Sequence, residues 1–320
     1  MSQLNQQQPD KISLLPFIRE DIASAQEVRQ KSGWEITAFN LPQAWKTSQG
    51  EGVVVAVLDT GCDINHDDLR DNLLTGKNFL NPSSPPIDGN GHGTHIAGTI
   101  CALDNEFGIV GVAPKAKVMP VKVLDDQGSG NLPVVAEGIR WSVDQGVDFI
   151  VMSLGSPNPT PVIYDAIMYA ASKGVVTWCA AGNAGKTRQI FYPAAYPECI
   201  GIGAIDESMH RANFSCTGPD LDFMAPGVKI LSTVPTNWYS VLSGTSMATP
   251  FAAGVACLLL SHKRKYNLSI NLRNAQDYMD MLRNYTIPTN DPKFAGQRFL
   301  EGFGIIDPRK VNEWLSQQHS

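Results

Sequence analysis

Short runs of aliphatic and β-branched residues alternate with stretches of helical length along most of this chain. The runs at 53–58, 118–123, 147–152, 175–180 and 199–204 have few polar positions, the pattern of strands buried on both faces. Between them, 92–103, 132–145 and 161–173 show the length and apolar spacing of helices. Helix is expected again over 246–263 and near 272–284. Strand and helix in alternation predict βαβ units and a mainly parallel sheet, hence the α/β class. No internal repeat is visible, and the polar, Pro- and Asn-containing segments 1–28 and 286–300 read as an extension and a loop. The expected organisation is one α/β domain over 29–310, with the extension 1–28 before it and a tail, 311–320, after it.

Composition narrows the function classes. A chain of 320 residues can bury one large core, and 43% hydrophobic with 18% charged residues is ordinary for a soluble globular protein. A formal charge of −6 with no basic run argues against nucleic acid as the partner. The first ten residues are polar and lack the apolar core of a secretory signal. The longest apolar stretch, 247–260, contains Thr249 and Pro250 and falls short of the ~18 residues of a membrane span. A buried helix is expected there, and no membrane partner. Cys62, Cys101, Cys179, Cys199, Cys216 and Cys257 have no CxxC spacing and sit in apolar or motif segments. They read as reduced core thiols, and the cytoplasm as the default compartment.

Three segments carry candidate chemistry. Val57-Leu58-Asp59-Thr60-Gly61 puts a carboxylate at the end of a buried strand, where ligands of open α/β sheets gather. An Asp in a plain turn is the competing reading. Asn90-Gly91-His92-Gly93-Thr94-His95 begins a helix with two imidazoles three residues apart. Its small, uncharged neighbours suit close packing around one imidazole better than a metal, and His95 is expected to be a buried core histidine. Ser243-Gly244-Thr245-Ser246-Met247-Ala248-Thr249-Pro250 puts a serine at a helix N-terminus, in positive dipole potential, where an ordinary N-cap would also sit.

Taken together, these segments favour catalysis. A serine is a poor nucleophile unless a base takes its proton, and that base needs a carboxylate to hold its tautomer. Ala180-Ala181-Gly182-Asn183 adds an amide after a buried strand, able to donate to a developing oxyanion beside the backbone N–H of Ser246. A lipase-like hydrolase is excluded, because Ser246 lies in Gly-Thr-Ser-Met-Ala and not in a Gly-x-Ser-x-Gly elbow.

Over roughly residues 30–310 the sequence resembles the subtilisin family of serine proteases, in particular the intracellular subtilisins of bacteria. The resemblance rests on Asp-Thr-Gly at 59–61, His-Gly-Thr-His at 92–95 and Gly-Thr-Ser-Met-Ala at 244–248. The order Asp, His, Ser and the intervals of 33 residues from Asp59 to His92 and 91 from His92 to Asn183 agree with it. It implies a three-layer fold with a mainly parallel central sheet. It also implies broad endopeptidase action on proteins and peptides, with Asp59, His92 and Ser246 as triad and Asn183 in the oxyanion hole. Where family members commonly carry His, this chain has Phe251. Altered packing, not lost catalysis, is the expected consequence. A catalytically silent relative used for binding is disfavoured, since each catalytic position holds the competent residue.

The resemblance extends to binding residues. An extended substrate would lie between Gly128-Ser129-Gly130 and Ser153-Leu154-Gly155, adding a strand. Leu124, Leu132 and Val135 match an apolar pocket for the fourth residue before the cut. Ala180, Ala181 and Gly182 match one wall of the primary pocket, and Phe191 its base. The Phe191 ring either shortens that pocket or swings out to solvent. The loop Leu103-Asp104-Asn105-Glu106-Phe107-Gly108-Ile109 matches one that wraps calcium. The implied ligands are carbonyls of Leu103, Phe107 and Ile109, the side chains of Asn105 and Gln30, and the Asp68 carboxylate, hard oxygens in the number calcium takes. Leu14-Leu15-Pro16-Phe17 resembles the segment by which intracellular subtilisins block their own site, although an apolar patch stapling a tail to the body would read alike. A homodimer in contact through 301–320 is likewise implied by the resemblance alone.

Overall fold

The five expected strands lie side by side in a nine-stranded sheet in a computed structural model of the protein, which describes residues 11–24, 30–185, 188–292 and 295–318. Across the sheet the order is Thr286–Ile287, Ile305–Ile306, Phe223–Pro226, Cys199–Ile205, Val176–Ala180, Phe149–Met152, Val54–Asp59, Lys117–Lys122 and Lys77–Asn78. All neighbours run parallel except Thr286–Ile287 against Ile305–Ile306. The central strands are buried along nearly their whole length, which is why their sequences read as continuous apolar runs and not as alternation. Helices cover both faces, giving the three-layer α/β fold. His92–Cys101 packs on Thr245–Lys265, and Leu132–Asp144 on Pro161–Ser172.

Thr245–Lys265 has 21 residues and, by length and composition, is long and apolar enough to cross a membrane. Its apolar window is wholly buried inside the protein, so it serves as the central core helix. It runs past the apolar stretch because a basic final turn, His262 to Lys265, complements the negative end of the helix dipole. Phe251 lies fully buried in it and meets the Phe39 ring at 5.5 Å between centroids. All six cysteines are buried free thiols.

Four regions differ from expectation. Positions 286–300 hold the short edge strand Thr286–Ile287 and the start of the helix Arg298–Glu301. Glu301 there accepts hydrogen bonds from Thr289 N and Oγ1, replacing the polar freedom of a loop with buried pairing. The helix Pro308–Gln317 crosses the boundary placed at 310, and buries Val311 and Leu315 against the body. The extension contributes two strands, Lys11–Leu14 and Ile18–Ser24, whose pairing supplies structure that the polar local sequence does not signal. The remaining positions of the extension, 1–10 and 25–29, lie outside the described residues. A hairpin, Ile230–Val234 with Trp238–Ser243, was also not signalled by an apolar run. It turns through Thr236 and Asn237, both at positive φ.

The short helix Trp34–Ala38 carries a buried acid. Glu35 is 4% exposed, and among the described residues its Oε2 has no hydrogen-bond partner. Burial raises its carboxyl to about 7 from an ordinary 4.5, a bond from its own backbone N–H opposing part of the rise. Between pH 4.5 and 7 the unfolded chain has therefore released a proton that the folded chain keeps. Stability is present in full below that interval and is lost as pH rises through it. Glu35→Gln should gain up to about 3 kcal/mol over the parent at pH 8, and almost nothing near pH 4. Urea melts at both pH values check this. An equal gain at both would mean that Glu35 does not titrate in the folded protein.

Candidate active site

Parallel strands end where the candidate residues begin. Asp59 closes Val54–Asp59, Ser153 follows Phe149–Met152, and Ala181 to Asn183 follow Val176–Ala180, so these groups collect at the carboxyl edge of the sheet. The helix His92–Cys101 approaches this edge closely. A Cβ added at Gly93 would stand 2.1 Å from the carbonyl oxygen of Gly61, so only glycine lets the helix bring His92 to Asp59. His92 Nδ1 lies 2.9 Å from both carboxylate oxygens of Asp59, with both side chains buried. Oδ1 also accepts from the N–H of Thr60 at 2.8 Å and, at 3.2 Å, from its hydroxyl. A carboxylate held this way fixes the imidazole with Nε2 turned toward the cleft.

Ser246 occupies the first turn of Thr245–Lys265, among the helix's orphan N–H donors. Pro250 explains how it is anchored. Lacking an N–H, Pro250 cannot bond the carbonyl four residues earlier, which is that of Ser246. The hydroxyl of Ser153 donates to this freed carbonyl at 3.0 Å, while Ser246 Oγ donates to the carbonyl of Ser153 at 3.3 Å. Asn183 is oriented from the same turn. Its Oδ1 accepts from the backbone N–H of Thr245 at 2.9 Å and from its hydroxyl at 2.8 Å, which leaves Nδ2 facing the cleft.

The cleft is filled by the protein's own chain. Lys11–Leu14 lies between Ser129–Asn131 and Leu154–Gly155, antiparallel to both, with Ile12 opposite Gly130 and Ser13 opposite Gly155. The N–H of Leu14 donates to the carbonyl of Gly128 at 2.8 Å. Ile12 and Leu15 are buried, Leu14 and Phe17 half-buried, and Pro16 exposed. Leu15 points at Gly155, where an added Cβ would meet its Cδ2 at 3.2 Å and the Cβ of Phe191 at 3.5 Å. The Phe191 ring stands beside Gly182, 3.0 Å from an added Cβ there. Ala180 and Ala181 are buried next to it. Leu124, Leu132 and Val135 are buried too, Leu124 directly under Gly130. Asn183 Nδ2 donates to the carbonyl of Pro16 at 2.6 Å. The Phe17 ring rests 5.0 Å from the His92 ring, and among the described residues His92 Nε2 has no hydrogen-bond partner.

Sequence reasoning missed Asp88, which organises the whole loop before His92. Its Oδ1 accepts from the Thr60 hydroxyl and from the N–H groups of Asn90 and Gly91, and its Oδ2 from the N–H and hydroxyl of Thr94. The signal was present: an Asp ahead of Gly-Asn-Gly at a helix start is capping chemistry. Ile12 was missed because it lies outside the apolar quartet that follows it. His95 is buried as expected, with Nε2 near the carbonyls of Ile230 and Ser240, while among the described residues its Nδ1 lacks a partner. Burial, helped by the nearby His92, lowers it to about 3, so it is a neutral histidine.

The residues implied for calcium also converge. Asp68 accepts from the Asn105 amide at 2.7 Å, the N–H of Ile109 at 2.9 Å and the Tyr239 hydroxyl at 3.1 Å. The Gln30 amide donates to the carbonyl of Leu103 at 3.0 Å, and Phe107 N donates to Asn105 Oδ1 at 2.9 Å. All three donors to Asp68 are neutral, and burial raises its carboxyl to about 6. Among the described residues this carboxylate has no cationic partner, and, ringed by amides and carbonyls, it fits a hard cation in kind, provided the Asn105 and Gln30 amides turn their oxygens inward. Among the described residues no three His, Cys, Asp or Glu side chains gather for a metal, as expected of a set with one carboxylate.

Comparison with known proteins gives the family of the chain. The model of the subtilase family matches residues 50–304. An intracellular serine protease of Paenibacillus polymyxa is 41% identical, over 96% of this chain and 97% of that protein. The major intracellular serine protease of Bacillus subtilis (strain 168) is 38% identical over 97% and 98%. Subtilisin E of the same organism is 43% identical over 91% of this chain and 74% of its own length. The chain belongs to the subtilase family and is a subtilisin-type serine endopeptidase.

Proposed function

We propose that the protein is a broad-specificity endopeptidase made as a zymogen, blocked by residues 11–17 until that segment is removed. Ser246 Oγ attacks the substrate carbonyl carbon as His92 Nε2 takes its proton. Asp59 keeps the imidazole in the required tautomer and stabilises its charged form. The oxyanion is met by Asn183 Nδ2 and the backbone N–H of Ser246. The C–N bond breaks as His92 protonates the leaving amine. Water, activated by His92, then hydrolyses the acyl-enzyme and restores the serine.

One observation carries the zymogen reading: the segment is seated like a substrate but is out of step at the reacting bond. Leu15 fills the pocket at Gly155, yet the carbonyl at Asn183 belongs to Pro16, one residue further on. Proline supports such a shift, because its ring restricts Leu15 to extended conformations and its nitrogen carries no proton. A tether holds the segment near its site at about millimolar effective concentration, so modest affinity suffices to block. Full-length enzyme should therefore show a lag in casein turnover that enzyme cut within 25–29 lacks. Pro16→Ala should shorten it. Equal initial rates for intact and cut enzyme, with intactness checked by mass spectrometry, would rule out inhibition.

The names of the two intracellular relatives support a cytoplasmic location, where such a block guards against self-digestion. The Phe191 ring beside Gly182 supports a shortened primary pocket, and Ile12 opposite Gly130 supports an apolar pocket formed by Leu124, Leu132 and Val135. Homodimerisation through 301–320 rests on the resemblance, and sedimentation velocity tests it.

Calcium at Asp68, Asn105, Gln30 and the carbonyls of Leu103, Phe107 and Ile109 would act structurally, tying the loop after His92–Cys101 to the N-terminal part of the body. An ion held only by the folded state at a hundredfold excess over Kd stabilises it by about 2.7 kcal/mol. Metal-stripped protein should lose several degrees of Tm and regain them with calcium. An unchanged Tm, or rescue by zinc and not calcium, would remove the assignment.

A further inference from the structure

Thr245 fixes the amide end of Asn183, but the aim of Nδ2 also depends on the turn that carries the residue. That turn, 182–185, has a glycine at each end at positive φ, 115° for Gly182 and 77° for Gly185. Glycine leaves a turn a freedom that neighbouring groups must remove. The loop 211–216 removes it. The N–H of Cys216 donates to the carbonyl of Gly182 at 2.9 Å, and the N–H of Gly185 to the carbonyl of Phe214 at 2.7 Å. Between them the N–H of Ala184, the residue after Asn183, donates to Cys216 Sγ at 3.4 Å. Of these three contacts only this one uses a side chain of the loop. The thiol is fully buried and lies against Gly182, where an added Cβ would meet Sγ at 2.8 Å and the Phe191 ring at 3.0 Å. The loop itself is firmly held. Buried Arg211 donates through Nη1 to the carbonyls of Ala212 at 2.9 Å and Ser215 at 2.6 Å. Ala204, in the strand Cys199–Ile205, donates its N–H to Ser215 Oγ at 3.0 Å and accepts from the N–H of Ala212 at 2.8 Å.

We propose that Cys216 is a positioning residue for the oxyanion donor, an inference that rests on the oxyanion-hole reading of Asn183 above. Its Sγ, through the N–H of Ala184, holds the turn that aims Asn183 Nδ2. Sulfur suits the place, because it is a large, soft acceptor that reaches a distant N–H while filling the space beside Gly182. Without it the turn regains freedom, and the loop, tied by Arg211 and Ala204, is not free to close on it. Asn183 then spends part of its time away from the approach of about 3 Å that a developing oxyanion needs. The loss falls on kcat and not on KM, since the donor bond forms chiefly in the transition state. A cysteine that only filled the core would lower stability without acting through Asn183.

The enzyme for the test is the full chain carrying a site for a specific protease within 25–29, cut after folding, with the released segment removed. Cys216→Ala deletes a single heavy atom, and melting temperatures confirm that each variant is folded. On a peptide amide it should lower kcat by about three- to tenfold, the effect of one lost hydrogen bond, with KM changed by less than about twofold. Cys216→Ser, which restores an acceptor, should recover most of that loss. In an Asn183→Ala background Cys216→Ala should have no further effect on kcat, because the donor it positions is gone. An equal fold-loss in both backgrounds, no loss in the presence of Asn183, or a serine variant as impaired as the alanine one would overturn the positioning role. An Asn183→Ala enzyme with full kcat would instead sink the oxyanion-hole reading, and the role of Cys216 with it.

Discussion

Ser246→Ala should abolish turnover of casein and of peptide amides while leaving the fold intact. The expected loss in kcat is about 10⁶, the value known for this nucleophile in subtilisin itself. The structure makes the variant a clean one. The anchoring bond from Ser153 Oγ goes to the carbonyl of Ser246 and survives the substitution, and only the 3.3 Å bond from Ser246 Oγ disappears. Assayed on enzyme freed of its extension, activity above a few per cent of the parent would mean that another group is the nucleophile. If the enzyme itself removes the proposed blocking segment, the same variant should keep its extension uncut, which mass spectrometry of the purified protein reads directly.

Asn183→Ala should lower kcat by about 10²–10³ with little change in KM, the magnitude known for the oxyanion-hole donor in subtilisin. The asymmetry follows from timing. The amide bonds most strongly to oxygen that has become negative, which happens in the transition state and not in the bound substrate. Thr245 holds Asn183 by its Oδ1, so the donor is already aimed before substrate arrives. Steady-state kinetics on the freed enzyme decide the point. A change confined to KM would make Asn183 a binding residue only.

The central sheet was legible because its strands are buried on both faces and so appear as unbroken apolar runs, from Val54–Asp59 to Cys199–Ile205. The hairpin Ile230–Val234 and Trp238–Ser243 was not, since it mixes buried and half-exposed positions and carries Ser232, Thr233 and Ser240 inward. The strands of the extension were hidden for a different reason. Their structure comes from pairing with distant edges, which no local pattern records. At the site, Asp59, His92, Asn183 and Ser246 stand in short motifs that resemblance makes specific. The groups that position them form a network of side-chain to backbone bonds over tens of residues, as when Asp88 joins Thr60 to Thr94, or when Pro250 frees a carbonyl for Ser153.

Fluorophosphonate labelling followed by peptide mapping tests the catalytic assignment most directly, because the probe forms its adduct only with an activated serine. Enzyme cut within 25–29 should take up one equivalent on the peptide that contains Ser246, and intact full-length enzyme should label far more slowly while Pro16 and Phe17 fill the site. An adduct on any other serine, or casein turnover that continues after labelling is complete, would contradict the assignment of Ser246.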